Sequence, residues 1–305
     1  MDITDHTTPW REVGQAASGV DGVVLLGGYD VIRSQRLDVV PAALRSSGIL
    51  NADPDDYVVW NDDCFGDTDG DTLPELPVSR IPDAGSGALI LNALSSPLHP
   101  PQSARFGIRN LNRSYADDVF GAIAGTEALN VSAPFTRGTA APDQINANGL
   151  YVVLHGSKND MSRFWGEQAD TSPIEAFSQA CVPPALSSVI LAGVCWGGLV
   201  VSSPASETSD MEAITPIAID QSVALRFLDA GATAFIGTTG AHMSPISGWV
   251  HSEFWDGIAK GKSPAKAIFD AKEAFIPRIR DWQCEAEVGY MFKTWRQFTC
   301  LGLAW

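Results

Sequence analysis

Cysteine is sparse in this chain: Cys64, Cys181, Cys195, Cys284 and Cys300 are the five among 305 residues, and no two form a C-x-x-C pair. Neither a disulfide scaffold nor a zinc finger is therefore expected, and the odd count leaves at least one thiol free. Basic residues are also few, 20 Lys and Arg against 36 Asp and Glu, for a formal charge of −16 at pH 7. Such a chain repels nucleic-acid phosphates and anionic lipid, so neither a nucleic acid nor a membrane is an expected partner. No apolar run reaches the roughly 18 residues that a spanning helix needs. The opening MDITDHTTPW lacks the basic-then-apolar pattern of a signal peptide, which leads to an expectation of cytoplasmic location, with a secreted mature form as the alternative. Internal repeats and low-complexity tracts are missing too. The chain does have apolar residues, 45% of the total, enough for the core of one large domain or two small ones.

Those apolar residues concentrate in runs: GVVLLGG (22–28), ARFGIRN (104–110), LYVVLHG (150–156), SVILAGVC (188–195) and ATAFIGTTG (232–240). Their near-continuous hydrophobicity, in place of alternation, predicts strands covered on both faces, hence a mainly parallel sheet in an α/β fold. Helices are expected between them. Ser172-Pro173-Ile174-Glu175 reads as a capping box ahead of AFSQACV, and Ser263-Pro264 opens AKAIFDAKEAF. DQSVALRFLD (220–229) and SGWVHSEFWDGI (247–258) each carry one apolar helical face. The stretch APFTRGTAAPDQINANG, from about 133 to 149, is the clearest break within the chain.

Two of the strand patterns end in a reactive side chain. YVVL runs into His155-Gly156-Ser157, and VILAGV runs into Cys195-Trp196-Gly197-Gly198. In a parallel sheet both emerge at the carboxyl edge, where open α/β sheets hold their ligands. A thiol becomes a nucleophile as its thiolate, an imidazole within reach takes the proton, and backbone amides beside small residues hold the oxyanion. Gly156 and the amide of Cys195 are the candidate oxyanion donors. The plainer reading is that a cysteine at a strand end simply packs. Asp67, Asp69 and Asp71, with Glu75 nearby, have oxygen ligands at calcium-like spacing, though Gly70 stands fourth and not sixth in the run. A solvated acidic turn is the competing view. His242 and His251 lack a companion ligand at compact spacing and are read as non-metal, with His242 placed to line the cleft. Trp196, beside Cys195, would pack its wall. The G-x-C-x-G pattern around Cys195 also fits a nucleophile elbow, for which His242 or His251 would be the downstream base of an α/β hydrolase.

A strand ending in His-Gly, followed 40 residues later by one ending in Cys-x-Gly, resembles the caspase-like cysteine peptidase clan, whose Cys-x-Gly follows its histidine by roughly 50 residues. The gingipain (C25) family is the nearer resemblance. Its His-Gly-Ser followed by Trp is matched by His155, Gly156, Ser157 and Trp165, and AGATAFIGTTG (230–240) matches the strand after its nucleophile. Upstream, DDYVVWNDD (55–63) and DGDTLPELPVSRIP (69–82) resemble its aspartate-rich loop and the strand that follows, and VVLLGGYD (23–30) an earlier strand. Two departures stand out: the family's Gly-Asp-Pro near the end is replaced by WRQFTCLGLAW (295–305), and the first subdomain is short.

The resemblance implies a three-layer α/β sandwich of caspase-like type around a mainly parallel sheet. It divides into a truncated N-terminal subdomain, 1–105, and a catalytic subdomain, 106–305. It implies a cysteine endopeptidase with Cys195 as nucleophile and His155 as proton carrier, acting on polypeptide without a required cofactor. Calcium and an activating or regulatory protein are the further partners such an enzyme could take. The family orients its histidine with a carboxylate after the preceding strand; FGIRNLN offers Asn110 or Asn112 there. The same segment supplies an acidic pocket floor, for which Asp117 and Asp118 are the candidates, with helix N-terminal capping as their other role. Trp165, Trp196 and His242 complete the expected pocket. A catalytically silent scaffold of the same fold, binding peptides or proteins, is the reading from outside enzymology.

Overall fold

The structure, a computed structural model, describes residues 9–17, 19–98 and 103–305; most of MDITDHTTPW, on which the expectation about a signal peptide rests, lies outside the described residues. Its strands are β1 (Val23–Leu26), β2 (Gln35–Asp38), β3 (Val58–Asn61), β4 (Val78–Ile81), β5 (Arg105–Asn110), β6 (Asn130–Ser132), β7 (Gly149–Val153), β8 (His155–Ser157), β9 (Asp160–Glu167), β10 (Pro173–Ser178), β11 (Val189–Ala192), β12 (Ala234–Thr238) and β13 (Phe298–Leu301). The α-helices are α1 (Pro9–Ala16), α2 (Ala42–Ser47), α3 (Gly87–Leu94), α4 (Tyr115–Gly121), α5 (Pro142–Ile145), α6 (Val223–Asp229), α7 (Ser244–Ala259), α8 (Pro264–Arg280) and α9 (Val288–Gln297).

Eight strands form one sheet in the order β1-β4-β13-β12-β11-β7-β5-β6. Neighbours are parallel throughout, apart from the antiparallel pair β12 and β13. β1 and β4 join the rest through a single residue pair, Arg80 opposite Leu301, so strands from both sides of residue 105 share the sheet. A smaller antiparallel sheet, β10-β9-β8, and the β2-β3 pair lie outside it.

The apolar strands are buried on both faces, as their lack of alternation required. In β7, Leu150 and Val152 enter one core with α3, α6 and β9, whereas Tyr151 and Val153 enter a second with α4, α7, α8 and α9. β11 divides likewise, Ile190 and Ala192 against Val189 and Leu191. This alternation makes the three layers. At the far edge the fully buried Arg80 grips Asp62 through two hydrogen bonds of 2.8 and 2.7 Å and donates to the carbonyls of Gly27, Gly28 and Ile32, so its charge is never left unpaired.

α6, α7 and α8 appear where the apolar faces placed them, and Ser263 caps α8 by accepting from the Lys266 amide. The segment after Ser172 differs from expectation: it is strand β10, not a helix. Residues 173–178 pair with β9 and bury Ala176 and Phe177. The Ser172 hydroxyl donates to Asp170 and accepts from Gln168, so it caps no helix. Pro173 stands first in an edge strand, a position where its missing N–H costs no ladder bond.

Candidate active site

β7 and β11 are adjacent and parallel, with Leu150 opposite Ile190 and Val152 opposite Ala192. His155 follows β7 and Cys195 follows β11, so both stand at the same sheet edge. Glycine at 156 brings their backbones together: a Cβ there would sit 2.0 Å from the Cys195 carbonyl oxygen and 2.7 Å from Val194. Any side chain at this position would push the two loops apart. No hydrogen bond joins the two reactive side chains among the described residues.

Each imidazole nitrogen of the half-buried His155 is engaged. Glu167 Oε1 lies 2.8 Å from Nε2, and Arg113 Nη2 lies 3.1 Å from Nδ1. A guanidinium only donates, so Nδ1 accepts from Arg113; the carboxylate only accepts, so Nε2 carries the proton. Burial and then the Arg113 charge push the His155 pKa below its usual value, against the pull of Glu167. Burial pushes Glu167 upward, but the His155 hydrogen bond and charge, with Arg113 and Asn112, hold it below the ordinary carboxylate range. The orienting carboxylate is thus Glu167 on β9, and neither asparagine takes that part. Asn112 Nδ2 donates to Glu167 at 3.4 Å, and the side chain of fully buried Asn110 has no hydrogen-bond partner among the described residues. Asn110 ends β5 with both amide atoms buried and unbonded, so residue type and strand order alone could not separate it from an orienter.

The Cys195 sulfur accepts from the His242 amide at 3.2 Å and donates toward the His242 carbonyl at 3.7 Å. Burial raises its pKa above that of an ordinary thiol, with the His242 amide, Arg113 and Lys293 opposing. The Cys195 amide makes no hydrogen bond among the described residues, which leaves it available as an oxyanion donor. Trp196 takes a left-handed backbone conformation, φ 54°, a strained state for a residue with a Cβ, and turns the chain sharply after the sulfur. Its indole N–H donates to Asp55 at 3.1 Å. Asp55 also accepts from the Ala241 amide and from Lys293, the last at 2.7 Å. One buried carboxylate therefore ties down both segments that flank Cys195.

The His242 ring does not bond the sulfur and packs beside Gly193, two residues before Cys195. It stacks on His251 with centroids 5.4 Å apart and planes 3° from parallel, while Tyr151 bonds His251 Nδ1 at 2.8 Å. Both Nε2 atoms are buried without a partner. Burial, then neighbouring His251, Arg113 and Lys293, drives His242 well below its usual pKa; burial and Arg113 bring His251 down to about 3. His242 thus meets Cys195 through its backbone, and neither ring bonds the sulfur as a hydrolase base would. Asp117 is bound twice by Arg109, at 2.9 and 3.0 Å, and Asp118 is exposed on α4. The Asp117 charge is thereby neutralised at the position expected to floor an acidic pocket. Trp165, opposite His155 in the β8–β9 register, does line a cavity of about 340 Å³ with His155, Ser157, Asp160, Glu167, Thr171 and Pro173. Ligand oxygens of Asp67, Asp69, Asp71 and Glu75 lie within 4.8 Å of one another, although all four carboxylates already accept turn amides. All five cysteines are free thiols.

No protein-family model and no curated protein sequence matches the chain. Solved structures do. The complex of the pro- and mature domains of RgpB from Porphyromonas gingivalis superposes with a TM-score of 0.61 at 10% identity, over 97% of this chain and 68% of that one. The Arg-specific cysteine proteinase gingipain R (RgpB) gives 0.60 at 9% identity, over 97% and 67%. A third structure, a protease, gives 0.58 at 13% identity, over 98% and 67%. At such identities the shared property is the fold. The chain has the caspase-like α/β fold of the gingipain cysteine peptidases, which the order of its strand-end motifs implied.

Proposed function

We propose that the protein is a cysteine endopeptidase. The observation that carries this reading is the placement of Cys195 and His155 at the ends of adjacent parallel strands, with Gly156 seated on the Cys195 backbone. In the reaction, His155 takes the thiol proton and the Cys195 sulfur bonds to the peptide carbonyl carbon. The amides of Cys195 and Gly156 hold the oxyanion, and the imidazolium then protonates the departing amine. Water, deprotonated by His155, releases the acyl group and restores the thiol. Glu167 keeps the ring oriented and stabilises its charged form. Side chains and backbone supply every step, so no cofactor enters.

Trp165 and the cavity beside His155 would take a substrate side chain. A regulatory polypeptide fits the same reading, since one similar structure is a complex of pro- and mature domains. The wild-type chain is expected to cleave members of a mixed peptide library, and Cys195→Ala, folded to the same unfolding midpoint, to cleave none. Cleavage retained by that variant would remove Cys195 as nucleophile. A second reading, a silent peptide-binding scaffold, is favoured by the raised thiol pKa and by the absence of a sulfur–imidazole hydrogen bond. It predicts peptide binding with no hydrolysis in either protein.

A further inference from the structure

Arg113 stands between β5 and α4. Its Nη1 donates to the Leu154 carbonyl at 2.9 Å and its Nη2 to His155 Nδ1 at 3.1 Å. Leu154 and His155 are consecutive, so one guanidinium spans the strand end and the ring it carries. Among the described residues no carboxylate lies within ion-pair distance of it, and both acceptors it has found are neutral. The N–H of the ring's other nitrogen donates a hydrogen bond to Glu167. His155 consequently has no lone pair to offer the Cys195 thiol, whose own hydrogen bond runs to the His242 carbonyl.

We infer that Arg113 gates the site: the structure is a resting state in which the guanidinium occupies the proton-accepting nitrogen of His155, and reaction begins when that contact opens. The gate rests on the peptidase reading for its consequence, but its chemistry is confined to Arg113, His155 and Cys195. When Nη2 leaves Nδ1, the nitrogen lone pair becomes free, the Cys195 S–H bond breaks toward it, and the sulfur keeps the electron pair. The hold on Leu154 can persist during this change, so only the hydrogen bond at Nδ1 need break. Arg113 is a positioning residue, acting through the imidazole.

The test is alkylation at neutral pH with iodoacetamide, an uncharged reagent, read separately for each thiol by mass spectrometry. Arg113→Met removes the donors while keeping an unbranched stem. Cys195 in that variant is expected to react about a hundredfold faster than in the wild type, the scale of general-base assistance. Adding His155→Ala should return the rate to the wild-type level. No gain in Arg113→Met, or a gain that persists without His155, would overturn the gate. Nitrogen-15 NMR of the wild-type protein tests the resting state without any variant. It should show His155 neutral with the proton on Nε2; a proton on Nδ1 would overturn the inference. Peptide hydrolysis separates the two proposals: His155-dependent alkylation in Arg113→Met, with no peptide cleavage by either the wild type or the variant, would support the gate and refute the peptidase reading.

Discussion

Replacing Asp55 by Asn tests whether the segments beside Cys195 are held by a buried charge. Asp55 and Lys293 have side-chain exposures of 1% and 2%, and Lys293 also bonds Asp53 at 2.6 Å. An Asn side chain can still accept the Trp196 indole N–H. Its NH2 group would then face two other donors, the Ala241 amide and the Lys293 ammonium. Removing one partner of a buried ion pair costs about 3–5 kcal/mol. Because Asp53 remains to compensate Lys293, the low end applies, about 3 kcal/mol, or an unfolding midpoint lower by roughly 5 to 10 °C. Scanning calorimetry reads that shift. Labelling of Cys195 by an electrophilic peptide analogue should also slow in the folded variant, because Trp196 and the Ala241–His242 backbone lose their common anchor. An unshifted midpoint together with unchanged labelling would refute the claim that this carboxylate holds the site.

Gly156→Ala places a methyl 2.0 Å from the Cys195 carbonyl oxygen, so it should lower stability by about 1–3 kcal/mol and sharply reduce Cys195 labelling; denaturant titration and labelling of the folded fraction check both. Glu167→Gln keeps an acceptor for Nε2 but removes the charge that favours imidazolium, and kcat is expected to fall about tenfold, the equivalent of one pKa unit. Acid should destabilise the fold through His242 and His251, whose folded pKa values are depressed from 6.5. As pH falls below 6.5 the unfolded chain binds protons that the folded rings refuse, down to about 3, where His251 itself would charge. Each such ring costs about 1.4 kcal/mol per pH unit in that window. Urea unfolding at stepped pH reads the slope, which His251→Phe should make shallower; an unchanged slope would contradict the assignment. Calcium bound by Asp67, Asp69, Asp71 and Glu75 should raise the midpoint, and the gain should vanish in Asp69→Ala; the same rise in that variant would exclude the turn as the site.

The parts of the fold that sequence reveals are those with a dense local signal. β7 and β11 are unbroken apolar runs, and a run buried on both faces implies parallel neighbours, so His155 and Cys195 at their ends follow from strand geometry. α8 announces itself through Ser263-Pro264 and one apolar face. Local pattern misleads at 173–178, where a capping-box spelling is overridden by pairing with β9. Glu167 escapes notice for a related reason: it reaches His155 only because the β8–β9 register sets Trp165 opposite the ring, and register is a tertiary property. Arg113 is a loop residue whose importance lies in two acceptors more than 40 positions away. Asp55 and Lys293 meet across 238 positions, a separation at which no spacing rule operates.

In the proposed reaction the Cys195 sulfur forms a covalent bond with a peptide carbonyl while His155 moves the proton. Mass spectrometry of protein quenched during turnover of a slowly released peptide ester tests it most directly. An acyl adduct is expected on the peptide containing Cys195, absent from Cys195→Ala and formed far more slowly in His155→Ala. An adduct on another thiol such as the exposed Cys284, or one formed at the same rate without His155, would contradict it.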